Sequence, residues 1–279
     1  MERYPPERIV CLTEETVETL YRLGEQQRIV GVTGFAVRPP EVRREKPRVG
    51  AFTTADVPDI VALQPDLVLT FSDLQAPIAE ALIREGIAVH AFNQRTVSGI
   101  LAMIRTLGAL VGVPEKAQAL AGELEARVAR VRERFRDATP VRVYFEEWDE
   151  PMISGIGWVS ELIGIAGGHD VFAAAGQEQG ARERIVSSAA VIGAAPEVMI
   201  ASWCGKKVRP ERIRERPGWD AIPAVTNGRL HEIKSPLILQ PGPAALTDGL
   251  DSLVAAMHGP HAVPAHDTSV GSPQGSPGE

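Results

Sequence analysis

One phrase occurs twice in this chain, and it constrains the fold more than any other feature. The stretch PDIVALQPDLVLTFSD (Pro58 to Asp73) has a counterpart in SAAVIGAAPEVMIASWC (Ser188 to Cys204). Each opens with a short helical run, passes through a Pro–acid pair (Pro65-Asp66, Pro196-Glu197) and ends in an apolar run of strand length, Leu67 to Thr70 or Val198 to Ala201. A chain that repeats helix, proline, acid and strand holds two halves built alike.

The flanking segments extend the pattern. RIVCL (Arg8 to Leu12) reads as a strand, and TEETVETLYRLG as a helix. Thr13 is its expected cap, Glu14 and Glu15 sit at the dipole-positive end, Val17, Leu20 and Tyr21 form the apolar face, and Gly24 is the stop. RIVGVTG, DLVLTF and IAVHAFN are further strands, with DIVALQ and APIAEALIREG as helices between them. Strands separated by single helices are βαβ units, so the sheet is parallel and covered on both faces. After Pro140 the same grammar resumes with VRVYFEEW, GWVSELIGIAGG, VIGAAPEVMIAS, RPERIRERPGWDAIPAVTNGRLHEI and a closing helix in GPAALTDGLDSLVAAMHG. The fold class is therefore α/β, two Rossmann-like lobes (residues 1–111 and 140–259) joined by one long rigid α-helix within residues 112–139, with a ligand cleft between the lobes. That helix, from Pro114, is expected to run ~25 residues, or nearly 40 Å at ~1.5 Å per residue. Leu120, Leu124, Val128 and Val131 mark its apolar stripe. Residues 260–279 are rich in Pro, Gly and Ser without apolar period and are expected to be a disordered tail; His258 just ahead of it and His261 and His266 within it read as stray histidines, not a metal tract.

Composition excludes several function classes. With 279 residues, 44% of them hydrophobic, the chain has material for two cores. A net charge of -7 leaves no basic footprint for nucleic acid and no polybasic membrane anchor. The apolar runs fall well short of the roughly 20 residues that cross a bilayer, so no membrane insertion is expected. MERYPPERIVCL lacks the pattern of a signal peptide, which places the chain in the cytosol as written; an export signal trimmed ahead of it would leave the same sequence and a periplasmic protein. Cys11 and Cys204 are expected as two buried free thiols, and no CxxC or clustered His/Cys signature points to a metal.

In open α/β sheets, ligands sit beyond the carboxyl ends of the strands, and clefts between lobes are favoured pockets. Those ends carry Glu14, Glu15, Phe35, Phe71, Asp73 and Phe92-Asn93-Gln94 in the first lobe, with Phe52 on an intervening loop. In the second they carry Glu146, Glu147, Trp148, Asp149, Trp158, Trp203, Cys204 and the segment Ser235 to Pro243, including Leu237. Planar rings there would grip the faces of a large, partly apolar ligand, and carboxylates would accept hydrogen bonds from amides or cations. For Phe35, Phe71 and Phe92 the alternative is capping their own core.

On these residues the chain resembles the class III substrate-binding proteins of ABC importers, and within them the cobalamin-binding branch. The resemblance spans about Arg8 to Met257. It is carried by TEETVETLYRLG, IVGVTGFAVRPPE, VALQPDLVLTFSD, EEWDEPMISGIGWVSELIGIAGGHDVF, APEVMIASWCG, RPGWDAIPAVTNGRLHEI and QPGPAALTDGLDSL, in that order. It implies that Phe35, Phe52 and Phe71 pack on a corrin, that Trp148 and Trp158 form the opposite wall, that Glu147 and Asp149 contact ligand amides, and that SPLILQPGP is a ligand-touching loop. The implied function is a non-catalytic binder of cobalamin or a related corrinoid, without any other cofactor and, if exported, with an ABC permease as partner. Two departures weaken the importer role: Ala76 stands where relatives carry one docking acid, and basic GKKVRPERIRER where they carry the second. A ferric siderophore, haem or another cationic ligand is the alternative cargo. An enzyme with Cys204 as nucleophile and TEET as base is the third reading. His90, His169 and His231 are the folded-region candidates for a metal contact, and His169, after a Gly pair, is expected to cap its helix.

Overall fold

A computed structural model describes residues 4–264. Among them nine strands form two sheets. The first comprises β1 (Ile9–Cys11), β2 (Ile29–Val32), β3 (Leu67–Phe71) and β4 (Val89–Phe92), all parallel, in the order β2-β1-β3-β4. The second centres on β5 (Val141–Asp149). Along one edge β5 pairs in parallel with β8 (Val198–Ala201), which pairs with β9 (Leu230–Glu232). The other edge is shared by antiparallel β6 (Met152–Ser154) and parallel β7 (Gly168–Asp170).

The repeated phrase has a physical reason. Gln64 and Ala195, just ahead of the two prolines, both take left-handed backbone (φ 48 and φ 45) and turn the chain out of its helix. The acid that follows then clamps the neighbouring central strand at its start. Asp66 accepts from the amides of Glu7 and Arg8 at 2.9 and 3.0 Å, and Glu197 accepts from the Arg142 amide at 2.9 Å.

Side chains alternate across each sheet with the period of 2 that strands impose. Ile9, Cys11, Leu67, Leu69, Val143, Phe145, Val198 and Ile200 face inward, into one apolar cluster that also contains the linking helix. Val10, Leu12 and Val68 face a satellite cluster on the first lobe, and Tyr144, Met199 and Ala201 another on the second. The expectation of two cores is thus corrected. The lobes are fused along one side by a shared core, because both sheets turn an apolar face to the same helices.

The linking helix spans Pro114–Arg134, 21 residues, and buries Ala117, Leu120, Ala121, Leu124, Val128 and Val131. It is shorter than expected because the chain leaves the helix at Phe135, its C-terminal cap. Its neighbour, Val97–Leu110, crosses it so closely that a Cβ on Gly108 would lie 2.1 Å from the Ala117 Cβ. Gly108→Val should therefore destabilise the protein by about 1–3 kcal/mol through overpacking, read from urea denaturation; an unchanged midpoint would mean the helices separate at no cost.

Three smaller expectations are also corrected. Thr13 has the extended backbone of a cap but makes no side-chain capping bond; its carbonyl instead accepts from the Thr16 hydroxyl at 3.0 Å. His169 lies on β7, exposed, and caps nothing. Of the expected tail, Pro260–Ala262 forms a 3-10 turn, and residues 265–279, His266 among them, lie outside the described residues. Within those described, no helix is long and apolar enough to cross a membrane, and no group of three or more His, Cys, Asp or Glu is placed to hold a metal ion.

Candidate ligand cleft

The lobes meet along a seam near the carboxyl ends of both sheets. The seam is fixed by direct contacts. Gln94 Nε2 donates to the Pro241 carbonyl at 2.9 Å, the Val97 amide to Glu161 at 2.9 Å, and the Ala244 amide to Glu18 at 3.2 Å. Gly242 rests on Glu15, where a Cβ would come within 2.5 Å of the Glu15 Cβ.

On the first lobe, β1 delivers Glu14 and Glu15 into the first turn of the Glu14–Arg22 helix. Both are buried, 8% and 1% exposed. Oε2 of Glu14 makes no hydrogen bond, and the Glu15 carboxyl is shut off from water with the neighbouring Thr13 as its side-chain partner. Burial, then the charges of Glu15 and Glu18, push Glu14 up to about 8 against the pull of Arg38 and Arg43. Burial pushes Glu15 up to about 7. Carboxyls in this state hold their protons near neutral pH and donate hydrogen bonds.

The buried Gln75 organises the ends of β1 and β3. It accepts from the Phe71 amide at 2.9 Å and donates to the carbonyls of Leu12 and Phe52 at 3.1 and 2.7 Å. Phe52 is thereby fixed half-buried beside the core, while Phe71 is buried in it. Phe35 is the aromatic left open, 40% exposed. Asp73 is exposed at the mouth.

The second lobe departs from the sequence expectation. Trp158 and Trp203 are core residues, 2% and 3% exposed, and their indole N–H groups donate to the Ile238 carbonyl (2.8 Å) and to Glu146 (3.1 Å). Both rings are taken up in apolar clusters and leave little surface for a ligand, so the expectation that they wall the cleft is corrected. Trp148 is half-buried, with its N–H on the Glu150 carbonyl and the Lys206 ammonium 4.1 Å above its ring. Glu147 forms a two-point pair with Arg184, and Asp149 pairs with Lys206 and, at 3.9 Å, Arg212. Leu237 packs half-buried against the shared core, so the apolar loop contacts its own protein. Cys204 is exposed, in contrast to the buried thiol expected; Cys11 is buried, and both are free. Desolvation, then the carboxylates of Glu14 and Glu147, raise the Cys204 pKa, which keeps it a thiol. Cys204 thus lies near carboxylates of both lobes.

Sequence reasoning passed over Gln75, Arg95 and Arg184. Arg95 follows the end of β4 in FNQR, with its guanidinium 4.9 Å from the Phe71 ring centroid. Arg184 is 2% exposed beneath Glu147. A position at a strand end was the available signal for Arg95; nothing in the pattern of RERIV marks Arg184.

The fold defines a class, a two-lobed α/β protein with parallel sheets and a long linking helix. The profile of the family described as periplasmic binding protein matches residues 9–237, and the chain belongs to that family, one of binding proteins. The chain is 28% identical over 201 residues to the vitamin B12-binding protein of Vibrio campbellii, covering 71% of each. It is 25% identical over 263 residues to YvrC of Bacillus subtilis, an uncharacterized ABC transporter substrate-binding lipoprotein, covering 91% of this chain and 80% of that one. Among solved structures, the periplasmic heme-binding protein RhuT of Roseiflexus sp. RS-1 superposes with a TM-score of 0.77 at 26% identity, covering 90% of this chain and 99% of that one.

Proposed function

We propose that this chain is a non-catalytic binding protein that holds a corrinoid in the cleft and hands it to an ABC permease. The observation that carries the reading is the pairing of aromatic side chains, Phe35 open and Phe52 half-buried, with a floor at Glu14, the less enclosed of the two first-turn carboxyls. A flat macrocycle rimmed with amides offers a surface for the rings and hydrogen-bonding groups for the floor. The Vibrio relative, named for vitamin B12, supports the choice of cargo. The Bacillus relative supports the transporter role, ahead of the cytosolic binder expected from sequence.

Haem is the second reading, favoured by the likeness to RhuT. Protein ligands to haem iron are imidazole, thiolate, thioether or phenolate. Among the described residues, no His or Tyr directly follows the carboxyl end of a strand. The corrinoid reading therefore fits the cleft better.

Titration of the full chain with cyanocobalamin, cobinamide and haem, followed by the ligand absorption bands, separates the readings. Saturable corrinoid binding in the micromolar range or tighter is expected. Phe35→Ala, at an exposed position, should weaken it by up to about tenfold, the scale of one aromatic contact. Haem binding without corrinoid binding would replace the first reading by the second.

A further inference from the structure

Arg95 stands apart from the other arginines of the cleft region. Arg184 donates to Glu147 at 2.5 and 3.1 Å and to the Ser154 carbonyl at 2.6 Å, and Arg216 grips Glu146 at 2.6 and 3.0 Å. The Arg95 guanidinium has neither hydrogen bond nor ion pair among the described residues, and its Nε is shut off from water without an acceptor. Only the face of Phe71 supports it. Its position is nevertheless tightly held. The Arg95 carbonyl abuts Gly157 of the second lobe, where a Cβ would come within 2.5 Å, and the preceding Gln94 is tied to Pro241. A half-buried cation, fixed by its backbone and left without acceptors, is costly unless something fills the space beside it.

The groups that face it define what fits. Burial lowers the Arg95 pKa and the charge of Arg184 adds to this, while Asp73 and Glu147 oppose it. Asp73 is exposed, and Glu147 is already engaged by Arg184. Arg184 also keeps one buried Nε–H without an acceptor. The donors left free are therefore those of half-buried Arg95, and planar guanidinium donors match the oxygens of a phosphate or carboxylate.

We propose that Arg95 docks an anionic oxygen group of the cleft ligand. On the corrinoid reading above, on which this form of the proposal rests, the group is the phosphodiester of a complete cobalamin, and Arg95 distinguishes cobalamin from the truncated cobinamide. A carboxylate would meet the same donors.

The test compares the full-length wild type with Arg95→Gln and Arg95→Lys, titrated with cyanocobalamin, cobinamide and haem, with melting curves to verify folding. Loss of a charge-assisted hydrogen bond should weaken cyanocobalamin binding by about 10- to 100-fold in Arg95→Gln and leave cobinamide within about twofold, with partial recovery in Arg95→Lys. An equal loss for both corrinoids would mean that Arg95 only shapes the cleft, and would overturn the assignment. If the wild type binds neither corrinoid, the corrinoid reading falls, and haem with its two carboxylates decides for Arg95. A selective loss of haem affinity in Arg95→Gln retains the oxyanion role. Indistinguishable behaviour of wild type and Arg95→Gln toward all three ligands overturns it.

Discussion

Replacing Arg216 by methionine should cost about 3–5 kcal/mol of stability, the effect of stranding a buried charge. Its partner Glu146 is 0% exposed on β5. Four donors surround that carboxylate: Tyr144 at 3.1 Å, Trp203 at 3.1 Å, and two nitrogens of Arg216 at 2.6 and 3.0 Å. Arg216 also lies 4.4 Å above the Trp219 ring, so the guanidinium closes the outer core of the second lobe. Methionine keeps much of the packing and removes the charge, leaving Glu146 with two neutral donors. For a chain of this size the loss corresponds to a fall in Tm of roughly 6–20 °C. The companion variant Glu146→Gln in the Arg216→Met background removes the stranded charge and should recover most of the loss, since replacing both partners is far milder than removing one. Urea denaturation of the two variants measures both effects. A single variant within about 1 kcal/mol of wild type would show that water reaches Glu146.

The same residues show what the sequence could disclose. Strand period, the doubled Pro–acid phrase and the apolar stripe of the linking helix all report local geometry, and the architecture followed from them. β6 and β7 did not, because each is a short strand on one edge of β5, and GHD and MIS carry no apolar alternation. The place of Glu14 and Glu15 in the first turn after β1 was legible because a cap residue and a helical run follow the strand. The second lobe was misjudged at Trp158 and Trp203, whose place beside strand ends and glycines is shared by cleft and core residues. Which side of the sheet a ring takes depends on what covers it: Ile238 for Trp158 and Glu146 for Trp203, distant in sequence from one another. Glu147 and Asp149 look free for the same reason, since their partners Arg184 and Lys206 lie on other loops. Pairing across long separations is a property of the folded chain, and no spacing rule encodes it.

Glu14 and Glu15 should make the protein less stable as the solution becomes more alkaline. Both take up a proton more readily folded than unfolded, because burial disfavours their charged forms. Their contribution is thus fully present below the ordinary value of 4.5 and is lost as pH rises through about 7 for Glu15 and about 8 for Glu14. At about 1.4 kcal/mol per pH unit, Glu15 alone accounts for roughly 3 kcal/mol between its unfolded and folded values. The two carboxyls repel each other when charged, so their effects do not simply add. Tm measured from pH 5 to pH 9 should fall for the wild type and flatten in Glu14→Gln/Glu15→Gln, whose amides stay neutral throughout. Glu18, also raised by burial, remains in the double variant and retains part of the slope. Parallel curves for the two proteins would place both carboxyls in contact with water. On the proposed corrinoid reading the same titration bears on binding: a protonated Glu14 would donate to ligand carbonyls near neutral pH and become acceptor-only in alkali. Corrinoid affinity should therefore decline above about pH 8 in the wild type, while the glutamine variant, an amide donor at every pH, holds its affinity there.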